Sequence, residues 1–254
     1  MSIIIRNTKK TDLSQLLAIY APYIEKTAIS FEYEVPSLQE FEQRWQGIVQ
    51  TYPYLVLEQE GQILGYAYAS AFHPREAYQW LAEVSIYLAP QAQGKGLGKL
   101  FYQKLEACLK AQGVLSALAC IATTDQPDDY LSNNSFDFHK HLRFREVGHF
   151  KKSGYKFGHW YDMKWLEKDL DEKKKKVQPI KAFKETELFK DYEVINSWFS
   201  KCIKIHPVLS RSLSSWRGVI QNGVDFKLFP LSGNQVNGGS FKDEGFPNLI
   251  FQET

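Results

Sequence analysis

Two features of this sequence carry chemical potential. The first is the run Gln93-Gly94-Lys95-Gly96-Leu97-Gly98-Lys99, set between a strand-like stretch and a helical one. Backbone N–H groups left free at a helix start, together with the positive end of the helix dipole, make a site for phosphate, and glycine lets the backbone touch the ligand. The same glycines also serve as plain turn residues. The spacing is neither a Walker loop nor the six-residue dinucleotide fingerprint. The second feature is Glu83, a carboxylate inside the otherwise apolar strand Leu81 to Leu88. A two-residue period puts Leu81, Glu83, Ser85 and Tyr87 on one face and Ala82, Val84, Ile86 and Leu88 on the other.

Elements of both types must position these groups. A short strand at Ile3 to Ile5 precedes a helix marked by Leu13, Leu16, Leu17 and Tyr20 behind Thr11 and Asp12. Ser37-Leu38-Gln39-Glu40 matches a capping box, and Phe41, Trp45 and Ile48 follow on one helical face. Strand-like runs at 54–57 and 63–70 flank Glu58-Gln59-Glu60-Gly61, which suits a hairpin. After Pro90 and the glycine loop, Leu97, Leu100, Phe101 and Leu105 mark a helix that stops at Gly113. A buried strand at 114–121, a short helix at 134–142 and strands at 144–150 and 155–165 complete the domain. The fold class is therefore α/β (α+β), with a mixed, mostly antiparallel sheet flanked by helices.

The chain of 254 residues, 44% hydrophobic, can bury a full core, and Lys+Arg 31 against Asp+Glu 29 leaves a net charge of +2. No excess of positive charge argues for nucleic acid or an anionic membrane, so small-molecule chemistry fits better. Cys108, Cys120 and Cys202 lie far apart without metal spacing, against a disulfide framework or structural zinc and for a reducing cytoplasm. Neither a signal peptide nor an apolar run of spanning length is expected.

A strand, then Gln93-x-x-Gly96-x-Gly98, then a helix is similar to the acetyl-CoA signature of the GNAT N-acetyltransferase superfamily. Arg75-Glu-Ala-Tyr78, Glu83-Val-Ser-Ile-Tyr87 and Gly154-Tyr-Lys-Phe-Gly-His-Trp-Tyr-Asp162 resemble the phosphinothricin N-acetyltransferase branch in the same order. The resemblance covers roughly residues 3–167. It implies that the amides of Gln93 to Lys99 hold the pyrophosphate, that backbone at Ile86, Tyr87 and Leu88 holds the pantetheine arm, and that Asn134, rather than Asn133, bonds to it. No metal is implied.

Glu83 holds the position of the family's general base. An amine must lose a proton before it attacks a thioester, and a carboxylate raised in pKa by apolar neighbours can accept it. Counting back from Phe144 puts His139 where many members have a tyrosine that protonates the leaving thiolate; a cap or core histidine is the other reading. Arg143 replaces a glycine that commonly permits an unusual backbone angle, so arginine implies strain or an altered turn. For the acceptor, Arg75 could clamp a carboxylate, with Tyr78, with Phe31 from the loop between the first two helices, and with Tyr155. Lys156, Phe157 and Trp160 could complete that wall, although aromatics at alternating strand positions are more often packing.

The function implied is acetyl transfer from acetyl-CoA to the α-amino group of a small amino acid or analogue, such as phosphinothricin or a methionine sulfoximine-like compound. A polyamine, an aminoglycoside or a protein N-terminus is the alternative acceptor within the same enzyme class, the lack of several acidic pocket residues arguing against polycations. A module that binds acetyl-CoA without turnover is the reading from another class. A homodimer is expected from the resemblance. Residues 1–168 are read as the catalytic domain. Residues 169–254, which follow a change to charged composition from Glu167 to Glu172 and include the basic run Lys173 to Lys176, are read as an extension, a small module or a poorly ordered tail, with helical periodicity around 183–199.

Overall fold

Where a sheet can open depends on its strand order. The computed structural model describes residues 3–173, 176–190, 216–221 and 225–230. Its main sheet contains β1 (Ile3–Asn7), β2 (Tyr54–Gln59), β3 (Gln62–Ala71), β4 (Leu81–Leu88), β5 (Ser116–Thr123), β6 (Arg145–Lys156) and β7 (His159–Asp169), in the order β1-β2-β3-β4-β5-β7-β6. Every neighbouring pair is antiparallel except β4 with β5.

Helices cover both faces, among them α1 (Leu13–Glu25), α2 (Leu38–Val49), α3 (Leu97–Gln112) and α4 (Asn134–His141). Leu13, Leu16 and Tyr20 of α1 and Phe41 of α2 bury against Val56, Tyr66 and Tyr87. On the other face Phe101, Tyr102, Leu105 and Leu109 of α3 bury against Leu55, Ala67 and Val84. The alternation expected in β4 follows from this, with Tyr87 in one core and Val84 in the other. The Ser37 hydroxyl caps α2 by accepting the Glu40 amide at 3.2 Å, while the Glu40 carboxylate turns to Arg44 instead of completing the box.

Both hairpins turn more tightly than their composition suggests. β2 and β3 are joined by Glu60-Gly61 alone, at φ 53° and 82°, the two left-handed residues that a two-residue turn needs. β6 and β7 turn at Phe157-Gly158, φ 52° and 81°, and not at residues 151–154. The latter form a bulge inside β6, where Lys152 takes φ 48° and donates its amide to Asp162 Oδ1 at 2.8 Å. In α3 the apolar stripe is Phe101, Tyr102, Leu105, Cys108 and Leu109, and Leu100 is exposed.

The chain divides into two compact units, Met1–Ile205 and His206–Thr254. Residues 178–183 cross the foot of the sheet: the Trp80 indole donates to the Gln178 carbonyl at 2.8 Å, and the Gln112 side chain donates to Thr51 and Lys181 carbonyls at 2.7 and 2.8 Å. Phe183 is 3% exposed and joins the α3 core. Residues 191–199 of the expected helical stretch lie outside the described residues. In the second unit β8 (Trp216–Gln221) pairs antiparallel with β9 (Asp225–Pro230).

Candidate active site

The site begins where β4 and β5 part. Each strand is eight residues long, yet they pair only from Leu81 with Ser116 to Glu83 with Leu118. Beyond Glu83 the facing edges are unpaired with each other, while β4 stays paired to β3 and β5 to β7. The split is lined by Ser85 and Ile86 from β4, Cys120 from β5, Tyr102 and His139 from the helices, and Ile29 from the segment after α1.

Ladder geometry decides which amides look into the split. The Ala89 amide bonds to Leu64 on β3, so by antiparallel alternation Tyr87 also points its N–H toward β3, and Ile86 and Leu88 point theirs toward β5. Of the three expected pantetheine contacts, then, the Tyr87 amide faces the wrong way. The Leu88 amide donates to the Tyr23 hydroxyl at 3.2 Å, which in turn donates to the Leu88 carbonyl at 2.6 Å. Tyr23 was not legible as a site residue.

At the open end of the split lies the glycine loop. Gly94 and Gly96 take φ 71° and 74°, and Gly96 caps α3 without any side-chain hydrogen bond to the first turn. The amides of Leu97, Gly98 and Lys99 therefore stand at a helix start, with Gly98 buried and Lys95 and Lys99 exposed on either side. Gly98 is needed for contact, because a Cβ there would lie 3.0 Å from the Phe138 ring. Gln93 turns back onto β4, donating to the Tyr23 hydroxyl at 3.1 Å and the Leu88 carbonyl at 3.4 Å. Asn133 spends its side chain on the Thr124 backbone, donating to its carbonyl and accepting its amide, which leaves exposed Asn134 at the start of α4.

Glu83 stands at the fork. It is half-buried and makes no hydrogen bond or ion pair among the described residues, and burial pushes its carboxyl above the ordinary value. Ser70 is its partner on β3, and two residues further Phe72 packs edge-on against both Tyr78 and Trp165, at 6.0 and 5.4 Å between centroids. Tyr78 thus belongs to an aromatic wall on the Glu83 face, and exposed Arg75 lies in the same loop. Phe31 packs with Ala28, Tyr161 and Ala122 on that face, further toward the open end.

Tyr155 does not join them. It lies between buried Gly154 and buried Lys156, so strand alternation turns it to the opposite face, where its ring meets Trp160 at 5.1 Å. Lys156 is no part of an exposed basic wall either, since it is 2% exposed.

His139 is also buried, at 2% exposure. Its Nδ1 lies 2.6 Å from the Ser135 carbonyl oxygen and must carry the hydrogen, so Nε2 accepts from the Tyr102 hydroxyl at 2.7 Å. Burial holds the ring below the ordinary histidine value and the Tyr102 phenol above its own, so both stay neutral. The Tyr102 hydroxyl hydrogen is therefore held by His139 Nε2 and reaches the split only when the hydroxyl rotates away from that ring. Tyr102 was missed because a tyrosine at helical spacing reads as core; a buried hydroxyl needing a partner, and His139 as its partner, were the available signal.

The profile of the acetyltransferase (GNAT) domain family matches residues 5–165. The chain belongs to the GNAT acetyltransferase family. Among curated relatives of this GNAT chain, the phosphinothricin N-acetyltransferase of Streptomyces viridochromogenes is 31% identical over 167 residues, 66% of this chain and 87% of the relative. The L-methionine sulfoximine/L-methionine sulfone acetyltransferase of Pseudomonas paraeruginosa is 32% identical over 174 residues, 67% of this chain and 96% of the relative. A crystal structure of a GNAT superfamily phosphinothricin acetyltransferase from Sinorhizobium meliloti, in complex with AcCoA, is 32% identical with a TM-score of 0.63, covering 72% of this chain and 99% of that one. These matches place the GNAT domain in the phosphinothricin N-acetyltransferase-like branch. No helix among the described residues is long and apolar enough to cross a membrane, and no group of three or more His, Cys, Asp or Glu residues among them could hold a metal ion.

Proposed function

We propose that this acetyltransferase moves the acetyl group of acetyl-CoA to the α-amino group of a small amino acid or analogue of the phosphinothricin or methionine sulfoximine type. The observation that carries this reading is the position of Glu83, an unpaired carboxylate at the point where β4 and β5 separate. The site suits acetyl-CoA: a helix start with left-handed glycines for its pyrophosphate, and a slot with the Ile86 amide directed into it for its pantetheine arm. When bound there, acetyl-CoA supplies an activated acetyl thioester.

Glu83 takes the proton that the acceptor ammonium must lose, and its raised pKa suits it to that step. The Ile86 amide polarises the thioester carbonyl. To protonate the leaving sulfur, the Tyr102 hydroxyl swings out of its bond to His139 Nε2 and gives its proton to the thiolate, the phenol then being reprotonated from water; His139 holds the hydroxyl until that step. Arg75 meets the acceptor carboxylate, and Tyr78 and Phe31 flank its side chain. Half-exposed Phe150, Tyr155 and Trp160 on β6 and β7 support self-association as a homodimer.

Release of CoA thiol from acetyl-CoA across a panel of amino acids, phosphinothricin and methionine sulfoximine tests this. Turnover confined to small α-amino acids and their analogues is expected. Turnover only with polyamines or peptide N-termini would overturn the acceptor class, and acetyl-CoA binding without turnover on any amine would overturn the enzyme reading.

A further inference from the structure

Lys156 comes from the far end of β6, yet its ammonium is buried against a segment 126 to 132 residues earlier in the chain. It donates to the carbonyls of Ile24 at 2.7 Å, Thr27 at 3.0 Å and Ser30 at 2.7 Å. Three N–H donors meet three oxygens, so the valence of the ammonium is filled. Ile24 lies in the last turn of α1, where the helix dipole places partial negative charge, which favours a cation. The chain from residue 24 to residue 30 is therefore folded around one positive point. Burial lowers the Lys156 pKa and Glu32 opposes that shift, so the protein keeps a charge here at some cost.

What the fold obtains in return is the placement of the next few side chains. Ile29, inside the clamped stretch, lines the split between β4 and β5. Phe31, just beyond it, lies so close to Gly154 that a Cβ there would overlap its ring. The Tyr33 hydroxyl then donates to the Tyr155 carbonyl, and Glu32 accepts from Tyr20 at 2.9 Å and Arg44 at 2.8 Å.

We propose that Lys156 is a positioning residue for the acceptor side of the site: it clamps residues 24–30 so that Ile29 stays in the split and Phe31 on the Glu83 face toward its open end. This rests on the reading of that face as the acceptor side. Lys156 touches neither substrate. Its loss acts through the segment, on the acceptor and not on the glycine loop at the start of α3.

Two variants and two readouts test it. Lys156→Met removes all three donors and Lys156→Gln keeps two; the acceptor KM is expected to rise at least about tenfold in the first and less in the second, with the acetyl-CoA KM within about twofold. Amide hydrogen exchange, measured without any substrate, is expected to quicken at residues 27–33 and to stay unchanged in α3. Unchanged exchange at 27–33 would overturn the proposal, and so would equal rises in both KM values with faster exchange throughout, which marks a merely structural lysine. Should Lys156→Met fail to fold, Lys156→Gln carries both measurements. A wild-type protein inactive on every amine would sink the activity reading alone, because the exchange result stands without it.

Discussion

Nε2 of His139 lies 2.7 Å from the Tyr102 hydroxyl, and Nδ1 of the same ring lies 2.6 Å from the Ser135 carbonyl oxygen. A carbonyl only accepts, so the ring is spent at Nδ1 and receives at Nε2. His139 therefore has no hydrogen to give at Nε2, and Tyr102 offers its own to the split only when its hydroxyl leaves that ring. Replacing Tyr102 by Phe is expected to lower kcat on the order of 10²-fold with little change in the acetyl-CoA KM. Steady-state kinetics on both substrates check this; a normal kcat would remove Tyr102 from the chemistry.

Glu83→Gln separates activity from stability. Burial raises the Glu83 carboxyl above its ordinary value of 4.5, so kcat/KM should fall with acid along a limb centred above that value. Between 4.5 and the raised value the folded state holds a proton that the unfolded state has released. Stability therefore falls as the pH rises through this window, and the cost persists at neutral pH. Glutamine removes it, so the variant should lose about 10²- to 10⁴-fold in turnover yet melt higher than wild type at pH 7. A lower melting temperature would show that the carboxylate has a stabilising partner.

Arg143 sits at φ 70° as the residue closing α4. Around it the Phe144 amide bonds back to the His139 carbonyl at 3.0 Å and the Arg143 amide to Lys140 at 2.9 Å, the two bonds of a Schellman ending. A left-handed angle strains any residue with a Cβ, and the Arg143 side chain is exposed. Arg143→Gly is expected to add about 1 kcal/mol of stability in urea denaturation, net of glycine's own entropy cost. No gain would mean that the guanidinium holds the turn.

Phe183→Ala should cost about 3 to 5 kcal/mol, the usual loss for a fully buried phenylalanine. It is 3% exposed and meets Phe189 edge-on at 5.5 Å between centroids. Equilibrium unfolding measures it directly. A loss under about 1 kcal/mol would mean that residues 178–189 rest on the domain without stabilising it.

Local patterns were legible in the sequence and long-range ones were not. The β4 alternation and the glycine loop depend on residues near one another in the chain, and the structure has both. The parting of β4 from β5 leaves no trace in either strand, because it is decided by where their edges find partners. Lys156 was misread for a related reason: a lysine in a strand reads as solvated, and three carbonyls from around α1 cannot be foreseen from β6. Read from the sequence, one strand breaks off at residue 150 and the next starts at 155, whereas Asp162 holds residues 151–154 inside β6 as a bulge. Arg143 is the converse case, where the oddity of the residue pointed to an unusual backbone angle and the angle is there.

The segment past the family match also acts on the geometry of the split. β4 and β5 form a fork whose tines open toward the glycine loop and whose handle is the short paired stretch from Leu81 to Glu83. Trp80, immediately before the handle, is bonded to Gln178, and Gln112, at the foot of α3, to Lys181. The handle is thus gripped by residues that lie outside 5–165. A chain trimmed to the family's own limits would keep every group proposed for catalysis and lose part of the grip on the handle from which the tines spread.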